Sequence, residues 1–210
     1  MPGDHRGELV ALVPQKALER AKTRLRSVLP REARMALSVA MLRHVLGVCR
    51  ELEGVRSILL SAPPELRPIA EEFGVELLEG GVRGMRRDVT EASLGGPVSG
   101  RAALLFVSSD LPLLTVDDLR LLVNHWHSGA DLVLAPDGRE RGTNALLVNE
   151  PETFPFAFGE VLGAGSFHTH LGHAVGHDLR VAQVRTPGLM LDIDLPSDLA
   201  DFLAQAPSSA

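Results

Sequence analysis

Short apolar runs of strand length alternate with longer stretches of helical periodicity from residue 9 almost to the C-terminus, and this alternation leaves few folds open to the chain. The first run, Leu9–Val13 in GELVALVP, is stopped by Pro14 and reads as a buried strand. Pro30 stands where a helix can open. Leu37, Met41, Val45 and Val48 then recur at helical spacing to about Arg50. RSILLSA and VELLE read as strands, separated by a short helix in PPELRPIAEEFG that Gly74 ends. GGVRG reads as a loop, and MRRDVTEASL as a helix closed by Gly95, Gly96 and Pro97. AALLFVSSD gives the clearest strand, apolar from Ala102 to Val107 and then polar. Thr115, with Asp118 three residues on, caps a helix in TVDDLRLLVNHW. ADLVLAPD, TNALLV, LRVAQV and LMLDID are further strands. GSFHTHLGHAV, with Ser166 near its cap, and SDLADFLAQA, capped by Ser197, are further helices.

This order predicts one α/β domain over residues 1–210, with a mostly parallel central sheet covered by helices on both faces and flexible ends at 1–7 and 206–210. Right-handed crossovers bring the C-terminal strand ends to one edge, where open sheets of this kind bind ligands. The residues at the strand exits are therefore the first candidates for a site. After the first run comes QKALERAKTRLR, with Lys16, Arg20, Lys22, Arg24 and Arg26 against the single acid Glu19. After Val107 comes Asp110, and LMLDID carries Asp192 and Asp194.

The charge balance sharpens the point. The chain has a formal net charge of -6, so the basic stretch is a local concentration. Net negative charge and 4% aromatic residues, with no tyrosine, argue against a nucleic-acid binder. No apolar stretch approaches the roughly 18 residues of a membrane helix, and MPGDHRGE lacks the apolar core of a signal peptide. Cys49 is the single cysteine, read as a buried, inert thiol in a reducing compartment. The expectation is a cytoplasmic protein with neither membrane nor nucleic-acid partner; homodimerisation is left open.

As strand residues, Asp192 and Asp194 would point to one face, because side-chain direction has period two. Together with Asp110 they make a hard-oxygen site suited to Mg²⁺, which in turn suits phosphate chemistry. Arg forks and Lys point charges opposite them suit a polyanion. Gly165 and Ser166 at a helix start offer backbone N–H groups to an anion. Neither GxxxxGK[ST] nor GxGxxG follows the first strand, which argues against P-loop and dinucleotide sites. A GxSxG elbow is also missing. His170, His173 and His177 fall on one helical face, but Gly172 and Gly176 weaken that helix and no Cys lies nearby. They read as a partly exposed polar face, with one His able to touch a ligand.

ALVPQKALERAKTRL, FVSSDLPLLT, APDGRERGTNALLV, FPFAFG, GSFHTHL and LDIDLPSDL, in this order, resemble the CofC/FbiD guanylyltransferases of coenzyme F420 biosynthesis, within the MobA-like nucleotidyltransferase group. The resemblance runs from about Leu9 to Leu203. It implies the fold of the nucleotide-diphospho-sugar transferases and transfer of GMP from GTP to a phosphorylated three-carbon acid: 2-phospho-L-lactate, phosphoenolpyruvate or 3-phospho-D-glycerate. By match to the motifs, Asp110, Asp192 and Asp194 would hold Mg²⁺, and Lys16, Lys22 and Arg24 would face the triphosphate. Thr143 and the GSF segment with Ser166 would contact the acceptor, with Asn144, Gly165 and His170 as further substrate-binding candidates. Two stretches depart from the family pattern: RGMRRDVTEAS, and EVLGA inserted before GSF. Two alternatives stay open at this point, a MobA-like enzyme with another base or acceptor and a non-catalytic protein that binds GTP or a phosphometabolite. The GGxSxRMG-like loop of the former is absent from residues 14–26.

Overall fold

The computed structural model describes residues 8–80, 84–94, 98, 103–158 and 165–205. The expected flexible ends, most of GGVRG, the Gly95–Pro97 helix stop, Ala102 and the EVLGA insertion lie outside these residues. Seven strands form one sheet: β1 (Leu9–Pro14), β2 (Val55–Ala62), β3 (Glu76–Glu79), β4 (Ala103–Val107), β5 (Leu132–Pro136), β6 (Thr143–Val148) and β7 (Val181–Gln183). Their order across the sheet is β3-β2-β1-β4-β6-β5-β7. Strands β1 to β4 run parallel, and β6 lies antiparallel between β4 and β5. Since β5 opposes β6, it points the same way as β4, and β7 runs parallel to it.

Strands β1 and β4, at the middle of the sheet, are apolar throughout because both faces are covered. In β1, Leu9 and Val13 face one core while Val10 and Leu12 face the other. In β4, Leu105 and Val107 alternate in the same way with Leu104 and Phe106. Helices α1 (Arg31–Glu51), α2 (Arg67–Phe73) and α4 (Val116–His127) close the first face with Leu42, Leu46, Ile69, Leu122 and Trp126. Helices α3 (Met85–Leu94) and α5 (Gly165–Gly176) close the second with Val89, Phe167 and Ala174. Thr115 and Asp118 form the expected reciprocal cap of α4. Cys49 is fully buried, and burial pushes its thiol up to about 12, as an inert core residue requires. No described helix is long and apolar enough to cross a membrane.

Two expectations need correction. LMLDID is not a strand. Thr186 caps a one-turn helix α6 (Pro187–Met190), with Pro187 at its first position, and residues 191–194 continue without a sheet partner. The Thr-Pro-Gly start outweighs the β-pattern of the apolar residues after it. Ser197 is likewise not the cap of the last helix, α7 (Pro196–Gln205). Asp198 does that work, its Oδ2 accepting from the Asp194 and Leu195 N–H groups at 3.0 and 2.7 Å.

Candidate active site

The strand directions gather the C-terminal ends of β1, β4 and β5 and the start of β6 at one edge. There a cavity of about 1000 Å³ opens. The basic loop after β1 forms one side, lined by Lys16, Arg20, Lys22 and Arg24. Asp110 comes from the turn after β4, and Asp192 and Asp194 from the segment after α6. Each of the three acids offers a carboxylate oxygen within 4.8 Å of the others.

A small apolar cluster holds the loop against the acids. Leu25, three residues beyond Lys22, packs with Met41 of α1 and with Ile193, which sits between the two late acids. The Ile193 N–H also bonds the Asp110 carbonyl at 3.3 Å. With Ile193 turned into the core, Asp192 and Asp194 flank it on the cavity side. The alternation expected of a strand therefore survives locally, fixed by one buried side chain instead of a ladder.

Lys22 adopts a left-handed backbone conformation (φ 51°) between two short 3₁₀ turns, and its side chain is only 8% exposed. Its Nζ lies 2.5 Å from Asp110 Oδ2 and 2.9 Å from Asp194 Oδ1. Burial alone would lower the Lys22 pKa, but the two carboxylates outweigh it and raise it above the ordinary lysine range. For Asp110, burial pulls the pKa up, yet Lys22 and the Ser108 hydroxyl, which donates at 2.6 Å, hold it below the usual range. Asp192 has no such cation. Burial, then the charge of Asp110, pushes it up to about 7, and an Asn144 hydrogen bond at 3.2 Å only partly offsets this. The trio thus carries more negative charge than one ammonium neutralises, and its oxygen-only donor set fits a hard divalent cation.

On the opposite wall stand Thr143, Asn144, Gly165 and Ser166. The Asn144 amide is committed inside the protein, donating to the Leu189 carbonyl at 2.9 Å and to Asp192. Gly165 has φ +78°, and a Cβ there would lie 2.3 Å from the Arg141 carbonyl, so only glycine fits this turn. Lys16, Lys22, Arg24, Asp110, Thr143, Asn144, Gly165, Ser166, Asp192 and Asp194 all line the one cavity.

His170 does not. It is 0% exposed and lies behind Thr143, whose Oγ1 is 3.0 Å from its Nδ1, while Nε2 accepts from the Ala157 N–H at 2.9 Å. The one-face reading of the histidines missed that this face turns into the Phe154 and Phe158 rings. His173 is half-buried and bonds the Pro155 carbonyl. Among the described residues, the three aspartates are the one group of three or more acids, histidines or cysteines arranged to hold an ion.

Burial, then the nearby charge of His173, pushes the His170 pKa down to about 3 from 6.5. Between those values the unfolded chain binds the extra proton, so the contribution of His170 to stability is complete above pH 6.5 and is lost as pH falls. The stability of wild type relative to His170→Gln is expected to be about 2 kcal/mol smaller at pH 5 than at pH 7. Chemical denaturation at both pH values checks this; parallel pH profiles for the two proteins contradict it.

Arg20 of the basic stretch also lines the cavity, as do Arg139 and Arg141, which the sequence analysis did not name. The last two come after β5, which ends at the same edge as β4, so the strand-end rule that found Asp110 would have found them too. Arg139 is tied to Asp198 at 2.5 Å. Among the described residues the side chains of Lys16, Arg20 and Arg141 have no acidic partner and remain available to an anion.

A mostly parallel sheet with one antiparallel strand presents cations and clustered acids at its strand ends, an arrangement suited to phosphate chemistry. The fold is similar to that of a nucleotide-diphospho-sugar transferase from Desulfovibrio desulfuricans (TM-score 0.77, 16% identity, 97% of this chain and 90% of that one). It is also similar to that of 4-diphosphocytidyl-2C-methyl-D-erythritol synthase from Anaerococcus prevotii (TM-score 0.63, 9% identity, 96% and 98%). Residues 9–207 match the family described as guanylyl transferase CofC like, and the chain belongs to it. Among curated relatives, a phosphoenolpyruvate guanylyltransferase of Chloroflexus aggregans is 35% identical over 91% of this chain and 95% of its own length. That of Sphaerobacter thermophilus is 35% identical over 96% and 95%.

Proposed function

We propose that this chain transfers GMP from GTP to phosphoenolpyruvate and releases pyrophosphate, as a step of coenzyme F420 biosynthesis. The observation that carries the reading is the placing of three carboxylates and a cationic loop on one cavity, in a family whose curated relatives bear that activity. An acceptor phosphate oxygen forms the new bond to the α-phosphorus of GTP. The bond from that phosphorus to the β-bridging oxygen breaks, and pyrophosphate leaves with the electron pair. The attacking oxygen is already ionised at neutral pH, so no general base and no covalent enzyme intermediate are needed. Catalysis is positioning and charge stabilisation.

Lys16, Arg20, Lys22 and Arg24 hold the triphosphate. Asp110, Asp192 and Asp194 would hold Mg²⁺, which when bound offsets charge on the phosphoryl oxygens. Thr143, Gly165 and Ser166 bind the acceptor across the cavity. Asn144 steadies Asp192 and does not itself reach for substrate.

The test is purified protein with Mg²⁺, each NTP and each of phosphoenolpyruvate, 2-phospho-L-lactate and 3-phospho-D-glycerate. Pyrophosphate release is expected only with GTP and phosphoenolpyruvate together, with the guanylylated acid detected by mass. Preference for another acceptor or base, or binding without turnover in every combination, overturns the assignment.

A further inference from the structure

The buried imidazole behind the cavity wall has a job that its place in the core does not explain. The Ala157 backbone N–H can only donate, so the His170 Nε2 that it meets at 2.9 Å carries a lone pair. The ring is fully buried beside Phe154 and Phe158, an environment that keeps it neutral. Its single hydrogen is then on Nδ1 and is donated to Thr143 Oγ1 at 3.0 Å. Ser166 Oγ lies 3.2 Å from the same oxygen. Among the described residues neither hydroxyl has any other side-chain partner. Once Thr143 accepts from the imidazole, one hydroxyl hydrogen is used between Thr143 and Ser166, whichever way round, and the other, with no further acceptor among the described residues, is left for the cavity that both residues line. With the opposite tautomer Thr143 would have to donate inward to Nδ1, and its hydroxyl would be withdrawn from the cavity.

We propose that His170 is a positioning residue that fixes the direction of donation through Thr143 and Ser166, so that this pair presents a hydroxyl hydrogen to an anionic group of the acceptor. The inference rests on the assignment of this wall to the acceptor in the proposed guanylyl transfer. It accounts for a histidine held by two hydrogen bonds, one to the backbone and one to a cavity side chain, where a phenylalanine would fill the same apolar space.

Two substitutions separate the two ends of the ring. His170→Asn keeps an amide N–H near the Nδ1 position and loses the acceptor for Ala157. His170→Gln keeps an oxygen near the Nε2 position and loses the donor to Thr143. With GTP, Mg²⁺ and phosphoenolpyruvate, His170→Gln is expected to raise the acceptor KM by about tenfold or more, the scale of one hydrogen bond to a charged group, while the GTP KM stays within about twofold. His170→Asn is expected to recover most of the acceptor affinity. An unchanged acceptor KM in His170→Gln, or equal shifts of both KM values in the two variants, overturns the proposal. Should either variant fail to fold, long-range ¹H–¹⁵N spectra of the wild type decide. An Nδ1–H tautomer for His170 supports the proposal, and an Nε2–H tautomer overturns it. Wild type that turns over no phosphoenolpyruvate sinks the functional reading itself, whereas wild-type turnover without the acceptor-specific effect sinks only the role given to His170.

Discussion

Asp110→Asn is expected to cut kcat by about 10³-fold or more while the protein still folds. The two halves of this expectation come from different atoms. Asp110 stands after β4 at the cavity edge beside Asp192 and Asp194, and in the proposed reaction its charge serves the phosphate site with theirs. Its side chain also has structural ties, accepting from Ser108 at 2.6 Å and facing Lys22 at 2.5 Å. Alanine would sever both ties and blur a catalytic loss with a folding one. Asparagine keeps the volume and an oxygen for the Ser108 hydroxyl, and Lys22 keeps Asp194 at 2.9 Å as a counter-ion. The stability cost should therefore stay below the range of about 3–5 kcal/mol for leaving a buried charge alone. Pyrophosphate release and a denaturant melt on the same preparation separate the two effects. A variant with more than a tenth of wild-type kcat would show that Asp110 does not serve the reacting phosphates.

The strand-end rule made much of this site legible, because a five-residue apolar run such as Ala103–Val107 has only one place to go, the middle of the sheet. Asp110 follows from that placement and from the direction of the crossovers. Asp192 and Asp194 reached the right position by a different route from the one expected. The sequence pattern suggested a strand, whereas Thr186 and Pro187 start a helix, and it is Ile193, buried against Leu25 and Met41, that turns the acids toward the cavity. That contact joins residues far apart in the chain, and no local periodicity reports it. His170 was misplaced for a related reason. Helical spacing put it on a face, but which face is buried depends on Phe154 and Phe158, from a segment with no regular structure to read. The Arg139 and Arg141 side chains were overlooked because the strand-end rule was not applied to the loop after β5. The β5 end lies at the same edge as that of β4, as the rule implies.

Lys22→Met is the complementary experiment, since it removes the cation and leaves the acids. In the wild type one ammonium, 8% exposed, bridges Asp110 and Asp194, while Asp192 is already pushed up to about 7 by burial and by the charge of Asp110. Methionine preserves much of the side-chain bulk but gives these carboxylates nothing to offset their repulsion. Without divalent cation the variant is expected to lose about 3 kcal/mol, which for a chain of this size is a fall in Tm of roughly 6–12 °C. Adding Mg²⁺ should then raise its Tm by more than it raises that of the wild type, because the variant leaves the trio only the longer Arg24–Asp194 pair at 3.7 Å in place of the buried ammonium. Turnover should fall by about 10²-fold or more even at saturating Mg²⁺, because in the proposed reaction the lost ammonium also serves the triphosphate. The two readouts have different causes, so they can fail separately. A variant that melts like wild type without Mg²⁺ denies the electrostatic role of Lys22 in the fold. A variant whose Tm ignores Mg²⁺ denies that Asp110, Asp192 and Asp194 form a cation site at all, whatever its turnover.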